Sequence, residues 1–104
     1  MAAEAWAFHI LVALEVGEQA GYAQYRAAMS PVLERYGGGF SYDFEVGKLL
    51  KAPIDAKLNR VFVISFPSAE ASRRFFADPA YLAVRQQHFE PAVRVTQKVA
   101  EWEA

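Results

Sequence analysis

Cysteine is absent from this chain of 104 residues. Disulfides, thiolate metal sites and cysteine nucleophiles are excluded together. An excess of charge of one sign is also lacking: 11 basic against 12 acidic residues give a formal net charge of −1, with both signs interspersed. There is no basic stripe to displace counterions from DNA or RNA and no polybasic run to hold anionic lipid, so nucleic acid and membrane surface are set aside as partners. Long hydrophobic runs are missing too. The apolar stretch from Ala5 to Val16 is about a dozen residues, too short for a bilayer, and is interrupted by His9 and Glu15. It has no positively charged segment before it, so it reads as a strand rather than a signal peptide, and the expected location is the cytoplasm. With only His9 and His88 as imidazoles and no His-x-x-x-His spacing, neither metal nor cofactor is expected. A phosphate-binding loop is also missing, because Gly37, Gly38 and Gly39 end a helix and enter a strand, the reverse of the order that aims backbone N–H groups at phosphate.

What is present is a single-domain length, residues 1–104, with an aromatic share of 14% that concentrates burial in a few large side chains. From Trp6 to Leu14, large residues alternate with smaller or polar ones, the period of a strand with two unlike faces. After Gly17, Tyr22, Tyr25, Met29, Val32, Leu33 and Tyr36 recur at three- and four-residue steps and line one side of a helix. Ser30-Pro31 inside it reads as a cap and first-turn proline, which predicts a kink or restart. Gly37 supplies a left-handed end. A second strand is predicted from about Gly39 to Leu49, with Phe40, Tyr42, Phe44 and Val46 on one side and Ser41, Asp43 and Glu45 on the other. Lys51 to Lys57 reads as a loop. Strand three, Arg60 to Phe66, is β-branched or aromatic at most positions, the mark of a central strand. Ser68 and then Asp78-Pro79 each open a helix, and the last strand runs from Ala92 to about Trp102.

The order β-α-β-β-α-β predicts an α+β, ferredoxin-like fold: a four-stranded antiparallel sheet with strands one and three central and both helices on one face. The helix-free face would then present Leu11, Ala13, Val61 and Val63, an apolar patch best covered by a second copy, so a homodimer through that face is expected.

Tyr22-x-x-Tyr25, Tyr36-Gly37-Gly38 with Phe40, Phe66-Pro67-Ser68 and Pro79-Ala80-Tyr81, in that order along almost the whole chain, resemble the bacterial domain-of-unknown-function family 1330, a branch of the dimeric α+β barrel superfamily. The resemblance implies a ferredoxin-like fold and a homodimer, and no established reaction. The chain departs from the family's tendencies at Gly39, where an arginine is usual, at Ser65, where an acid is usual, and at His88, where an arginine is usual.

His9 is the leading candidate for chemistry, since it lies in a central strand and points away from Phe8 and Ile10. On the predicted alternation, Asp43, Ser65, Arg94 and Thr96 share its face. His9 would then be general base or acid, Asp43 its orienting carboxylate and Arg94 the holder of an anionic group or developing enolate, with Ser65 and Thr96 completing a ligand site. The structural alternative is a buried histidine satisfied by backbone or by a dimer contact. Tyr22 and Tyr25, facing Trp6 and Phe40, either line a crevice between helix and sheet or simply pack the core, and related barrel families hold aromatic substrates in such crevices. Arg85 and His88 are expected on a solvated helix surface. Together with the resemblance, the polar cluster points to a cofactor-independent enzyme, an isomerase, dehydratase or oxygenase, acting on a small organic molecule. The alternative is a non-catalytic dimeric ligand-binding or stress-associated protein.

Overall fold

The structure, a computed structural model, describes residues 6–104. Ala5, at the start of the apolar run, and the four residues before it lie outside the described residues. The chain runs β1 (Phe8–Val16), α1 (Gln19–Arg35), β2 (Gly39–Glu45), β3 (Arg60–Phe66), α2 (Ala69–Ala77), α3 (Pro79–Val84), a π-helical turn Arg85–Phe89, one further helical turn Glu90–Ala92, and β4 (Val93–Glu103). The four strands form one antiparallel sheet in the order β2-β3-β1-β4, the ferredoxin-like arrangement with β1 and β3 central. Among the described residues no helix is long and apolar enough to cross a membrane.

The core follows from the period-two pattern of the central strands. Phe8, Ile10, Val12, Leu14 and Val16 of β1, with Phe62, Ile64 and Phe66 of β3, turn one face toward the helices and are buried there against Tyr22, Tyr25, Met29, Val32, Leu33, Phe75, Tyr81 and Phe89. Each such large side chain contributes about 1.5–3 kcal/mol on burial. The opposite face carries His9, Leu11 and Ala13 of β1 directly across from Ser65, Val63 and Val61 of β3. Tyr42, Phe44 and Trp102 flank this face, and all three are exposed.

Two local expectations need correction. Helix α1 runs through Ser30-Pro31 without restarting, so Ser30 is not a cap; its Oγ instead donates to the Arg26 carbonyl at 2.6 Å. Pro31 is exposed, and its cost of about 3 kcal/mol is offset by the buried stripe on the other side of the same helix. Strand β2 ends at Glu45, and the segment from Val46 to Asn59 is irregular. Asn59 fastens its end to β1, donating its backbone N–H to the Leu14 carbonyl and pairing its side-chain amide with both backbone groups of Val16.

The end of α1 is as expected. Gly37 has φ +73°, its N–H donates to the Glu34 carbonyl and that of Gly38 to the Leu33 carbonyl, which closes the helix in a Schellman motif and sends the chain into β2. Ser68 Oγ accepts from the Ala71 N–H, and Asp78 Oδ1 from the Ala80 N–H, so both predicted caps form.

Candidate functional site

The predicted cluster divides among several places. His9 and Ser65 are opposite each other in the β1–β3 ladder, and His9 Nδ1 lies 2.8 Å from Ser65 Oγ. Ser41 Oγ is 2.9 Å from the same hydroxyl, which makes a chain Ser41–Ser65–His9 on the helix-free face. Ser65 is fully buried, and the Trp102 indole stacks on the imidazole with ring centres 5.3 Å apart. At the other end of this cross-sheet row, the Trp6 ring occupies the space a side chain would take at Gly39, and its Nε1–H donates to the Gly37 carbonyl. His9 is thus held by a hydroxyl and an indole, with no carboxylate among the described residues at its ring nitrogens.

Asp43 is not on that face. The register of β2 against β3 skips a residue between Phe40 and Tyr42, a β-bulge that leaves Ser41 and Tyr42 together on the helix-free side and turns Asp43 toward the helices. There Arg60 donates to both carboxylate oxygens at 2.8 Å and Arg26 to one of them at 2.9 Å. The bond from Arg60, with Arg26 beside it, holds the Asp43 carboxyl below its ordinary range. Arg26 also donates to the Tyr22 hydroxyl and lies 3.6 Å from the centre of the Phe40 ring. Burial raises the Tyr22 phenol against the opposing charge of Arg26. Tyr22 therefore belongs to this ion-pair cluster, and Asp43 cannot orient His9.

Arg94 and Thr96 also fall elsewhere. Arg94 is the extra residue in a second irregularity, where β4 shifts register against β1, and its guanidinium lies 3.7 Å from the Glu15 carboxylate. Thr96 pairs with Leu14, on the helix-covered face.

Thr96 instead lines a cavity of about 90 Å³ between sheet and helices, walled by Ile10, Val12 and Leu14 of β1, Phe62 and Ile64 of β3, and Met29 of α1. Tyr25, Tyr81 and Arg85 bring polar atoms to it. The Tyr25 and Tyr81 hydroxyls are 2.9 Å apart and buried. Arg85, one helical turn beyond Tyr81, brings its positive charge toward the Tyr81 hydroxyl. Desolvation raises the Tyr25 phenol far above its ordinary value, with the Tyr81 hydroxyl adding to it. Desolvation raises Tyr81 as well, despite the bond with Tyr25 and the charge of Arg85. Both phenols therefore keep their protons at neutral pH and serve as donors, not bases.

A π-helical turn begins at Arg85. Its Glu90 N–H donates to the Arg85 carbonyl, five residues back, and the widened turn sets the Arg85 guanidinium 5.3 Å from the centre of the Phe89 ring. Arg85 thus departs from its expected place on a solvated surface, while His88 is half-buried. Tyr81 and Arg85 are the site residues that sequence reasoning passed over. Their four-residue spacing on one helix was the available signal.

Beside the cavity, a groove of about 610 Å³ opens between α2 and β4, and Ile10, Val12, Phe76 and Thr96 line both spaces. Among the described residues no three His, Asp or Glu side chains are grouped so as to hold a metal ion.

Comparison with known proteins agrees with this architecture. A search of curated proteins finds no match. Among solved structures, RPA0582 of Rhodopseudomonas palustris, a protein of unknown function, superposes with a TM-score of 0.80 at 23% identity, over 95% of this chain and 82% of that one. SnoaB of Streptomyces nogalater, a cofactor-independent oxygenase, matches with a TM-score of 0.62 at 17% identity, over 93% and 91%. A Dabb-family protein of Mesorhizobium loti with a ferredoxin-like fold matches with 0.63 at 12%, over 93% and 95%. At these identities the likeness is one of fold. The model of the domain of unknown function DUF1330 matches residues 7–100, and the chain belongs to that family.

Proposed function

We propose that this protein is a cofactor-independent enzyme that takes the oxygen-bearing end of a small carbonyl compound into the cavity between sheet and helices and polarises it with Tyr81. One observation carries this reading. The Tyr81 oxygen sits 2.9 Å from the Tyr25 hydroxyl, with Arg85 on the same cavity wall. Only one hydrogen can lie between two hydroxyl oxygens; in this reading Tyr25 supplies it, and the hydrogen of Tyr81 is left to point at a ligand. A donor whose own oxygen accepts from a second hydroxyl, near a guanidinium in an apolar enclosure, strengthens as charge gathers on a carbonyl oxygen. Such a site stabilises the enolate relative to the ketone and suits isomerisation, dehydration or oxygenation through an enolate. The same type of frame hosts a cofactor-independent oxygenase in Streptomyces nogalater.

The second reading is binding without turnover. It is favoured by the cavity lining, which holds neither carboxylate nor imidazole among the described residues. In the enzymatic reading the α-proton leaves to water. A single pair of measurements separates the two. Small ketones, from butanone to acetophenone, are added to the protein in deuterium oxide, and the carbonyl stretch is followed by infrared spectroscopy and α-proton exchange by NMR. An enzyme lowers the stretching frequency and accelerates exchange, and Tyr81→Phe removes both effects. A shifted stretch without exchange supports binding alone, and an unshifted stretch refutes the site.

We propose further that the helix-free face, with Leu11, Val61 and Val63 bordered by exposed Tyr42, Phe44 and Trp102, is covered by a second copy of the chain. Sedimentation at micromolar concentration should give the mass of two chains. A single-chain mass refutes the pairing.

A further inference from the structure

We propose that the ligand of this cavity is an apolar oxo acid whose negative group lies in the groove between α2 and β4, received by Arg73. The inference rests on the carbonyl-binding reading and names its substrate class. The cavity of about 90 Å³ is well below the range of roughly 300–1,000 Å³ usual for small-molecule sites, whereas the adjoining groove of about 610 Å³ lies within it. A ligand held only at Tyr81 would leave most of its body outside the cavity, and the shared walls Ile10, Val12 and Phe76 direct that body along the groove.

The groove selects charge as well as shape. Its floor is apolar, built from Phe8, Ile10, Val12 and Phe76, and its charged residues are Arg73, Lys98 and Glu101. Lys98 and Glu101 are paired with each other along β4. The Ser72 hydroxyl donates to the Ala69 carbonyl of its own helix. Arg73 forms no ion pair with any carboxylate among the described residues. One unmatched guanidinium over an apolar floor fits one carboxylate at the end of an apolar chain or ring. The neighbouring Glu101 disfavours a second anionic group, so the ligand is a monoanion.

Binding of methyl-ketone carboxylic acids of increasing chain length is measured against their methyl esters by calorimetry, with the infrared carbonyl shift recorded on the same samples. At the best length the acid binds about fivefold more tightly than its ester, the size expected for an exposed ion pair, and the ratio falls toward one as salt is raised. Arg73→Gln removes the ratio and leaves ester affinity unchanged; the residue is exposed, so the variant folds. Equal binding of acid and ester, or a ratio that survives Arg73→Gln, overturns this inference while the carbonyl shift still upholds the cavity. If neither acid nor ester binds the wild-type protein, the carbonyl reading falls and this inference with it.

Discussion

Replacing Asp43 by Asn tests the ion-pair cluster that ties β2 to α1. The carboxylate receives three charge-assisted bonds from two guanidiniums, and its removal leaves Arg26 and Arg60 facing each other. Taken singly, such bonds are worth about 1.5–3 kcal/mol each. The three side chains are 18–30% exposed, so solvent screens them, and the retained amide still accepts one bond. A net loss of about 1–2 kcal/mol is expected, which in a domain of this size lowers Tm by roughly 5–15 °C. The loss also has a pH signature. Asp43 titrates lower in the folded chain than in the unfolded one, so its contribution is complete above the unfolded carboxyl value of about 3.9 and disappears as pH falls through the folded value. Thermal melts of the two proteins, followed by circular dichroism, should differ near neutral pH and converge in strong acid. Equal Tm values at neutral pH, or a gap that persists undiminished to about pH 2, would refute the assignment.

Two other substitutions give independent checks. Gly37→Ala should destabilise by about 1–3 kcal/mol in urea unfolding, because the position has φ +73° and a Cβ there would lie 2.8 Å from Pro67 Cγ, while Gly47→Ala, with nothing within 4 Å, should leave the midpoint in place. His9→Ala should cost about 1–2 kcal/mol, from the lost hydroxyl bond and indole stacking, and leave ketone binding and α-proton exchange unchanged, since the imidazole is on the other face of the sheet. Loss of exchange in that variant would return the chemistry to the histidine.

The fold was readable because its signals are local and repeated. Alternation in β1 and β3, glycine after α1, and the Ser68 and Asp78 caps each specify one element, and together they fix the order. The pairing of Leu11 with Val63 and Ala13 with Val61 followed from the same alternation. The contact of His9 with Ser65 was legible for that reason, both being on regular central strands. Asp43, Arg94 and Thr96 were misplaced because β2 and β4 each break register, and alternation counted along a strand cannot show where the partner skips. Arg85 was assigned to a solvated surface, although it follows Tyr81 by one ordinary helical turn. The π-helical turn that begins there is not anticipated by a helical wheel of ordinary pitch, and it shifts every side chain after Arg85 around the axis. Tyr22 and Tyr25 share one helix face, yet only Tyr25 reaches the cavity, since Tyr22 is engaged by Arg26.

The wide turn at Arg85–Phe89 gives chain length a role in shaping the cavity. Gln86 and Gln87 lie within it and are exposed, so deleting either would remove no buried contact of its own. Restoring ordinary winding would nonetheless rotate Phe89 about 100° relative to Tyr81 and withdraw it from the wall it now forms. Among proteins built on this frame, one residue more or less on that outer curve would remodel the chamber and the molecules it admits, even where every residue lining it is the same.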